Sequence, residues 1–305
     1  MFVIVAPGQG SQKPGFLEPW LEDSDNRALL TQWSSMLDVD LVTHGTLSDE
    51  ATIKDTAIAQ PLIVAAGILS GRSLLAGLPA GVPLAFAGHS VGEYTAAAIT
   101  GVLTAEEALT LVTLRGQAMA HASALTPSGM SAVLGGETQE LEAHLEKVGL
   151  RAANYNGGGQ VVIAGSLPAL AEFAENPLPG TRVIPLAVAG AFHTAFMETA
   201  VEKLSDAAAQ LAPHDPHYPL YTNRDGSLLQ SGNDALGALV TQVTQPVRWD
   251  LCMESFQTKG IQGMIELAPA GALVGLAKRG LKGVLTVALN TPEDQAKAWD
   301  MVTRS

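Results

Sequence analysis

The chain has 305 residues, 47% of them hydrophobic and only 15% charged, so it can bury one large core, or a large core with a smaller one attached, and is not a disordered chain. Its 30 acidic residues against 17 basic ones leave a formal net charge of -13, which argues against nucleic acid as a partner because phosphates need a basic surface. The single cysteine, Cys252, excludes an intrachain disulfide and a multi-cysteine metal site.

Residues 2–6 form an apolar run that stops at Pro7-Gly8-Gln9-Gly10, which predicts a buried parallel strand ending in a glycine-rich turn. An N-terminus that is apolar at once, with no basic segment, is not a signal peptide. No apolar run approaches the roughly 20 residues that span a bilayer. A soluble, cytoplasmic protein with no membrane partner is therefore expected. Gln60-Pro61 precedes an apolar helix over 62–75, with Pro61 suited to its first position. Residues 83–87 predict a second buried strand, running straight into Gly88-His89-Ser90-Val91-Gly92. A helix follows to about 100, with Gly101 as its terminating residue. Thr104 and Glu107 make a capping box for the next helix, which continues to about 122.

From Met130 the rhythm changes. Strands are expected at 130–134, 151–155, 160–164 and 182–186, with helices at 139–148 and 168–175. That β-α-β-β-α-β order is the ferredoxin-like arrangement, and it reads as a small domain set into a larger one. Beyond it, 194–211 has helical periodicity, 218–222 reads as a short strand, and apolar stretches at 247, 261–267 and 284–289 alternate with helices.

The G-x-S-x-G turn at 88–92 lies between a strand and a helix, the context in which a nucleophilic serine projects from a sharp, strained elbow. Side chains two residues to either side would collide, and glycine at 88 and 92 removes that collision. Ser90 with Glu93 also satisfies the S-x-x-E capping pattern, so a plain helix cap is the alternative. A nucleophilic serine needs a base. Of seven histidines, His89 adjoins the serine but should point the opposite way, and His193 follows Gly190-Ala191-Phe192 at the return to the large domain. Loop histidines are often incidental, so composition alone leaves His193 open. Backbone N–H groups of the Gly8-Gln9-Gly10 turn, with that of Val91, could bind an oxyanion. A nucleotide-phosphate loop is the weaker alternative, because neither phosphate-loop glycine pattern is complete.

Ala108, Leu111, Val112 and Arg115 fall on one helical face. An arginine on an apolar stripe must be paired, because an isolated buried charge costs several kcal/mol. The partner is either an internal carboxylate or the carboxylate of a substrate, which the guanidinium fork can take with two hydrogen bonds.

Taken in order, Pro7-Gly8-Gln9-Gly10-Ser11-Gln12, Gln60-Pro61, the 88–93 segment, Leu114-Arg115-Gly116, Asn156 with 160–165, Gly190-Ala191-Phe192-His193 and Pro246-Val247-Arg248-Trp249 resemble the malonyl-CoA:acyl-carrier-protein transacylases and the acyltransferase domains of polyketide synthases. The resemblance runs over essentially the whole chain. It implies an α/β fold: a large α/β-hydrolase-like domain at 1–128 and 192–305 with a mainly parallel sheet, and the ferredoxin-like subdomain inserted at 129–191. It also implies Ser90 as nucleophile and His193 as base, oriented by a backbone carbonyl expected at Arg248, with Gln9 and Val91 as the oxyanion hole. Arg115 would hold the malonyl carboxylate. Gln60 and Asn156 are further substrate-binding candidates, and Phe192 would crowd the α-carbon of the bound acid. Val91 and Phe192 fit a malonyl preference. Three departures concern loop shape: Ala6 in place of a common aromatic residue, Gly158 in place of a frequent proline, and Ala268-Pro269-Ala270-Gly271 in place of Gly-Pro-Gly.

The implied reaction is ping-pong transfer of malonyl from malonyl-CoA to the phosphopantetheine thiol of acyl carrier protein, in fatty acid biosynthesis, without metal or bound cofactor. The carrier would dock on a basic patch including Lys278, Arg279 and Lys282, within a stretch at 248–282 that is otherwise a solvated surface of mixed charge. A monomer is the expected state. The rivals are an α/β-hydrolase esterase or thioesterase, an acyltransferase of a polyketide pathway, and a docking module without catalysis.

Overall fold

A computed structural model describes residues 1–304; Ser305, the last residue of the expected large domain, lies outside the described residues. The first sheet has four parallel strands in the order β2-β1-β8-β9, formed by β1 (Phe2–Ala6), β2 (Leu84–Gly88), β8 (Gly263–Glu266) and β9 (Leu285–Ala288). Every residue of β1 and β2 is buried, which is why both read as continuous apolar runs rather than alternating ones. Phe2, Ile4 and Ala6 pack on one side with the Thr56–Ala76 helix, while Val3 and Val5 pack on the other with Trp249, Phe256 and Met264.

The helix expected over 62–75 spans Thr56–Ala76, and Pro61 sits inside it rather than at its first position. Asp55 accepts the Ala57 N–H and so starts the helix earlier than the proline does. The lengthened helix is long and apolar enough to cross a membrane, but 78% of its most apolar window is buried inside the protein. It crosses the Ala105–Leu125 helix so closely that a Cβ at Gly116 would stand 2.7 Å from the Thr56 carbonyl oxygen. The expected Thr104–Glu107 capping box is present, with Glu107 N–H on Thr104 Oγ1 at 3.1 Å and Thr104 N–H on Glu107 Oε2 at 2.8 Å.

The second sheet contains β3 (Ser128–Leu134), β4 (Arg151–Gly157), β5 (Gln160–Ser166) and β6 (Arg182–Pro185), with helices Thr138–Lys147 and Leu167–Glu175 between them. Its order is β6-β3-β5-β4-β7, antiparallel except for β7 (Val247–Arg248), which pairs parallel with β4. That fifth strand comes from outside the 129–191 segment, so chain from both sides of the expected boundary completes this sheet. Val133, Leu141, Leu145, Ile163 and Phe173 give it a separate apolar cluster beneath its two helices. The strand expected at 218–222 is reduced to isolated bridges, Phe86 with Leu220 and Tyr221 with Leu228. Pro219 has no N–H, so a ladder along β2 cannot propagate through it. The chain is thus a mixed α/β fold with one parallel sheet and a second, mainly antiparallel one.

Candidate active site

β2 delivers Gly88 to the turn, and the next helix begins only at Gly92. Ser90 between them has φ of 53°, in the left-handed region that a non-glycine residue occupies at a cost of about 1–3 kcal/mol. The glycines permit this turn. A Cβ at Gly88 would stand 2.0 Å from the Gly92 carbonyl carbon, and one at Gly92 would stand 2.2 Å from the Ala6 carbonyl oxygen. The plain-cap alternative fails, because Val91 is the N-cap and no side chain caps the helix. Instead Ser90 Oγ lies 2.7 Å from His193 Nε2 and accepts from Arg115 NH2 at 3.3 Å.

His193 also has a positive φ, 61°, at the mouth of the segment that returns from the second sheet. Its Nδ1 lies 2.8 Å from the backbone carbonyl of Gln242. An acceptor there requires the proton on Nδ1 and leaves the Nε2 lone pair facing the serine hydroxyl. Burial, and then the positive charge of Arg115, push the imidazole down to about 3, so it is neutral and able to take a proton. The carbonyl expected at Arg248 is therefore at Gln242. Arg248 sits in β7, where its N–H donates to the Asn223 carbonyl and its guanidinium pairs with Asp250 at 2.7 Å. His89 is held elsewhere, with Nε2 2.9 Å from Asn156 Oδ1, and is no partner for Ser90.

The face predicted for Arg115 is realised: Ala108, Leu111, Val112 and Arg115 are all buried, the arginine to 1% exposure. Among the described residues it forms no ion pair. Its NH1 donates to Gln60 Oε1 at 2.7 Å and its NH2 to Gln242 Oε1 at 2.7 Å, while the guanidinium carbon stands 5.7 Å from the centre of the Tyr94 ring. Nε has no partner among the described residues. A fully buried cation held by neutral amides, with no carboxylate at contact distance, can take an anion. Gln60 thus meets the guanidinium and Met119 rather than open space.

Two side chains that spacing did not single out complete the arrangement. Asn223 Oδ1 accepts the Ser90 N–H at 2.6 Å, and Gln242 contributes both its carbonyl to His193 and its amide oxygen to Arg115. Both contacts join residues far apart in sequence, and no local pattern announces them. Glu93, weighed above only as the capping partner of Ser90, has one carboxylate oxygen on the Asn223 N–H at 2.7 Å and the other on Gln242 Nε2.

The backbone N–H groups of Gln9 and Val91 donate to no described residue. Gln9 borders a groove of about 500 Å³ that also meets His89, Asn156, Leu186 and Arg279. Asn156 is buried and already bonded to His89 and Gln160. Phe192 is buried in the main core beside His193. Lys278, Arg279 and Lys282 are exposed at the end of the Ala272–Gly280 helix. That helix is anchored by Glu266, whose buried carboxylate accepts the N–H groups of Gly271, Leu273 and Val274.

Residues 3–297 match the family model described as the acyl transferase domain. The chain is 46% identical over 295 residues to the malonyl CoA-acyl carrier protein transacylase of Mycobacterium tuberculosis, covering 96% of this chain and 98% of that protein. The crystal structure of MCAT from that organism superposes with a TM-score of 0.95 over 98% of this chain and 99% of the other. A type II polyketide acyl-carrier protein in complex with its malonyl-transacylase (PlMCAT:AntF) contains a chain 30% identical, with a TM-score of 0.91 over 98% and 99%.

Proposed function

Because the chain belongs to the malonyl CoA-acyl carrier protein transacylases of the acyl transferase family, and so transfers malonyl groups from CoA to acyl carrier protein in fatty acid synthesis, we propose that Ser90 carries the malonyl group between the two thiols. The observation that carries this reading is the convergence on Ser90 Oγ of a neutral imidazole at 2.7 Å and a buried guanidinium at 3.3 Å. His193 Nε2 takes the hydroxyl proton as Oγ attacks the thioester carbonyl, and returns it to the departing CoA sulfur. The free N–H groups of Gln9 and Val91 are the donors for the oxyanion of the tetrahedral intermediate. In the second half the carrier's phosphopantetheine thiol gives its proton to His193 and attacks the malonyl ester, and Ser90 leaves with the proton.

Arg115 takes the free malonyl carboxylate, and Gln60 and Gln242 hold its fork in place. Asn156 acts through His89 at the groove wall. Phe192 disfavours a methyl branch on the acyl α-carbon by about 1–3 kcal/mol. Gln242 O fixes the histidine, which differs from the carboxylate that orients the base in an α/β-hydrolase esterase. The strand order β6-β3-β5-β4 with helices after β3 and β5 supports the ferredoxin-like reading of the inserted 129–191 unit, and the parallel sheet below Ser90 supports an α/β-hydrolase-like large domain. The reaction as read needs no metal or bound cofactor. We read the protein as a cytoplasmic monomer whose carrier protein docks on Lys278, Arg279 and Lys282.

Initial rates with malonyl-CoA and holo carrier protein both varied test the shuttle. Parallel double-reciprocal lines are expected; intersecting lines, marking direct transfer in a ternary complex, would contradict it.

A further inference from the structure

The cation meant for the substrate carboxylate is tied, through one glutamine, to a buried acid that the transfer mechanism does not use. Gln242 Oε1 accepts from Arg115 NH2, and Gln242 Nε2 donates to Glu93 Oε2. Glu93 is 5% exposed and forms no ion pair among the described residues. Its other oxygen takes the N–H of Asn223, the residue that holds Ser90.

When ionised, Glu93 therefore sets one buried negative charge against the buried positive charge of Arg115. Acylation by malonyl brings a second negative charge to the same guanidinium. Two carboxylates sharing one cation in a poorly solvated site cannot both stay ionised cheaply. A cavity of about 440 Å³ borders Glu93, Gln242 and Asn223 without reaching Ser90, and leaves room for water to deliver a proton from behind the reaction centre.

We propose that Glu93 is a specificity-setting residue whose proton is exchanged against the malonyl carboxylate: Glu93 gains a proton from solvent when that carboxylate docks on Arg115, so selectivity for malonyl over an uncharged acyl group is set by the protonation of Glu93. The inference rests on the assignment of Arg115 as the carboxylate's partner. Burial pushes the Glu93 carboxyl up to about 7, which brings its titration into the working range.

The groups facing it do not titrate there. Arg115, from the Ala105–Leu125 helix, stays charged although burial lowers it, and Tyr94, on its own helix, is pushed upward by burial. Cys252, on the Trp249–Thr258 helix, is raised well above its ordinary value, and Arg224 in the neighbouring loop is raised by Asp234. His193 is lowered to about 3. Thr222, Asn223 and Gln242 contribute uncharged hydrogen bonds.

The sign follows. Below the Glu93 value the carboxyl is neutral, Arg115 is uncompensated, and malonyl is favoured. Above it, ionised Glu93 offsets Arg115 and repels the incoming carboxylate. The test is the ratio of kcat/KM for Ser90 acylation by malonyl-CoA to that by acetyl-CoA, in which the ionisations of Ser90 and His193 cancel. In the wild type the ratio should fall about fivefold between about pH 5.5 and 8.5, with its midpoint near the Glu93 value. In Glu93→Gln it should be flat and at least as high as the wild-type acid limit.

A pH-independent wild-type ratio, or a Glu93→Gln ratio that keeps the wild-type slope, would overturn the proposal. Should the variant not fold, indicator-dye proton uptake by the wild type near neutrality decides. Malonylation should take up a proton fraction that acetylation does not, and equal uptake counts against the proposal. Arg115→Ala separates the two layers: persistent malonyl preference in that variant means that the Arg115 assignment itself has failed.

Discussion

Asn223 holds Ser90 at both ends of the strained turn: its Oδ1 accepts the Ser90 N–H at 2.6 Å, and its Nδ2 donates to the Gly88 carbonyl at 2.5 Å. A residue 133 positions away thus stabilises a backbone conformation that the serine alone would leave. Asn223→Ala unpairs the half-buried Ser90 N–H and the buried Gly88 carbonyl, at a cost of about 1–3 kcal/mol, and releases the hydroxyl from its place between His193 and Arg115. Ser90 acylation should slow by about tenfold or more, with the larger change in kcat, because positioning is lost rather than binding. Single-turnover acylation and a thermal melt check this. An unchanged acylation rate would contradict the positioning role.

Glycine substitutions separate the elbow from ordinary helix positions. Gly92→Ala drives a Cβ into the Ala6 carbonyl of β1, and neither backbone can yield without opening the sheet, so a loss of about 3 kcal/mol or more is expected. Gly237 is exposed within the Gly232–Thr241 helix and would meet nothing within 4 Å, so Gly237→Ala should stabilise by about 0.5–1 kcal/mol. Denaturant midpoints for the pair check both signs.

His193 is neutral because burial and Arg115 both oppose its protonation, which places the acid limb far below the ordinary histidine value. With acetyl-CoA, which presents no carboxylate to Arg115, kcat/KM for acylation should stay flat between about pH 5 and 8. An inflection near the ordinary histidine value of about 6.5 would show that the imidazole is solvated when it acts.

Reversal of the basic patch with Lys278→Glu, Arg279→Glu and Lys282→Glu should raise KM for carrier protein by about tenfold while Ser90 acylation by malonyl-CoA stays within about twofold. The effect should shrink at high salt. An unchanged KM would place the docking surface elsewhere.

How much of this was legible in the sequence depended on the range of each interaction. Gly88, Ser90 and Gly92 announce themselves because their collision is local, and the Arg115 face is legible because helical periodicity is local too. Pro61 resembles a start signal and shortens the helix read from the sequence, whereas the Asp55 cap sets the start of the Thr56–Ala76 helix. Pro219 is the local signal that 218–222 stops at single bridges, and the apolar run around it outweighs that signal when the sequence is read alone. His193 is one of seven histidines, and the family pattern rather than any local spacing marks it. The carbonyl that orients it was displaced from Arg248 to Gln242, because backbone orientation in a short 3-10 turn has no side-chain signature. Asn223, Gln242 and Glu93 became a network only once strands and loops distant in sequence had converged.

The central claim, that Ser90 carries the malonyl group, is tested most directly by intact-mass measurement after the protein is mixed with malonyl-CoA in the absence of carrier protein. The wild type should gain the mass of one malonyl group, lose it on addition of holo carrier protein, and show the modification on the peptide containing Ser90. Ser90→Ala should gain nothing. Malonyl transfer without an adduct in the wild type, or an adduct that persists in folded Ser90→Ala, would contradict the account.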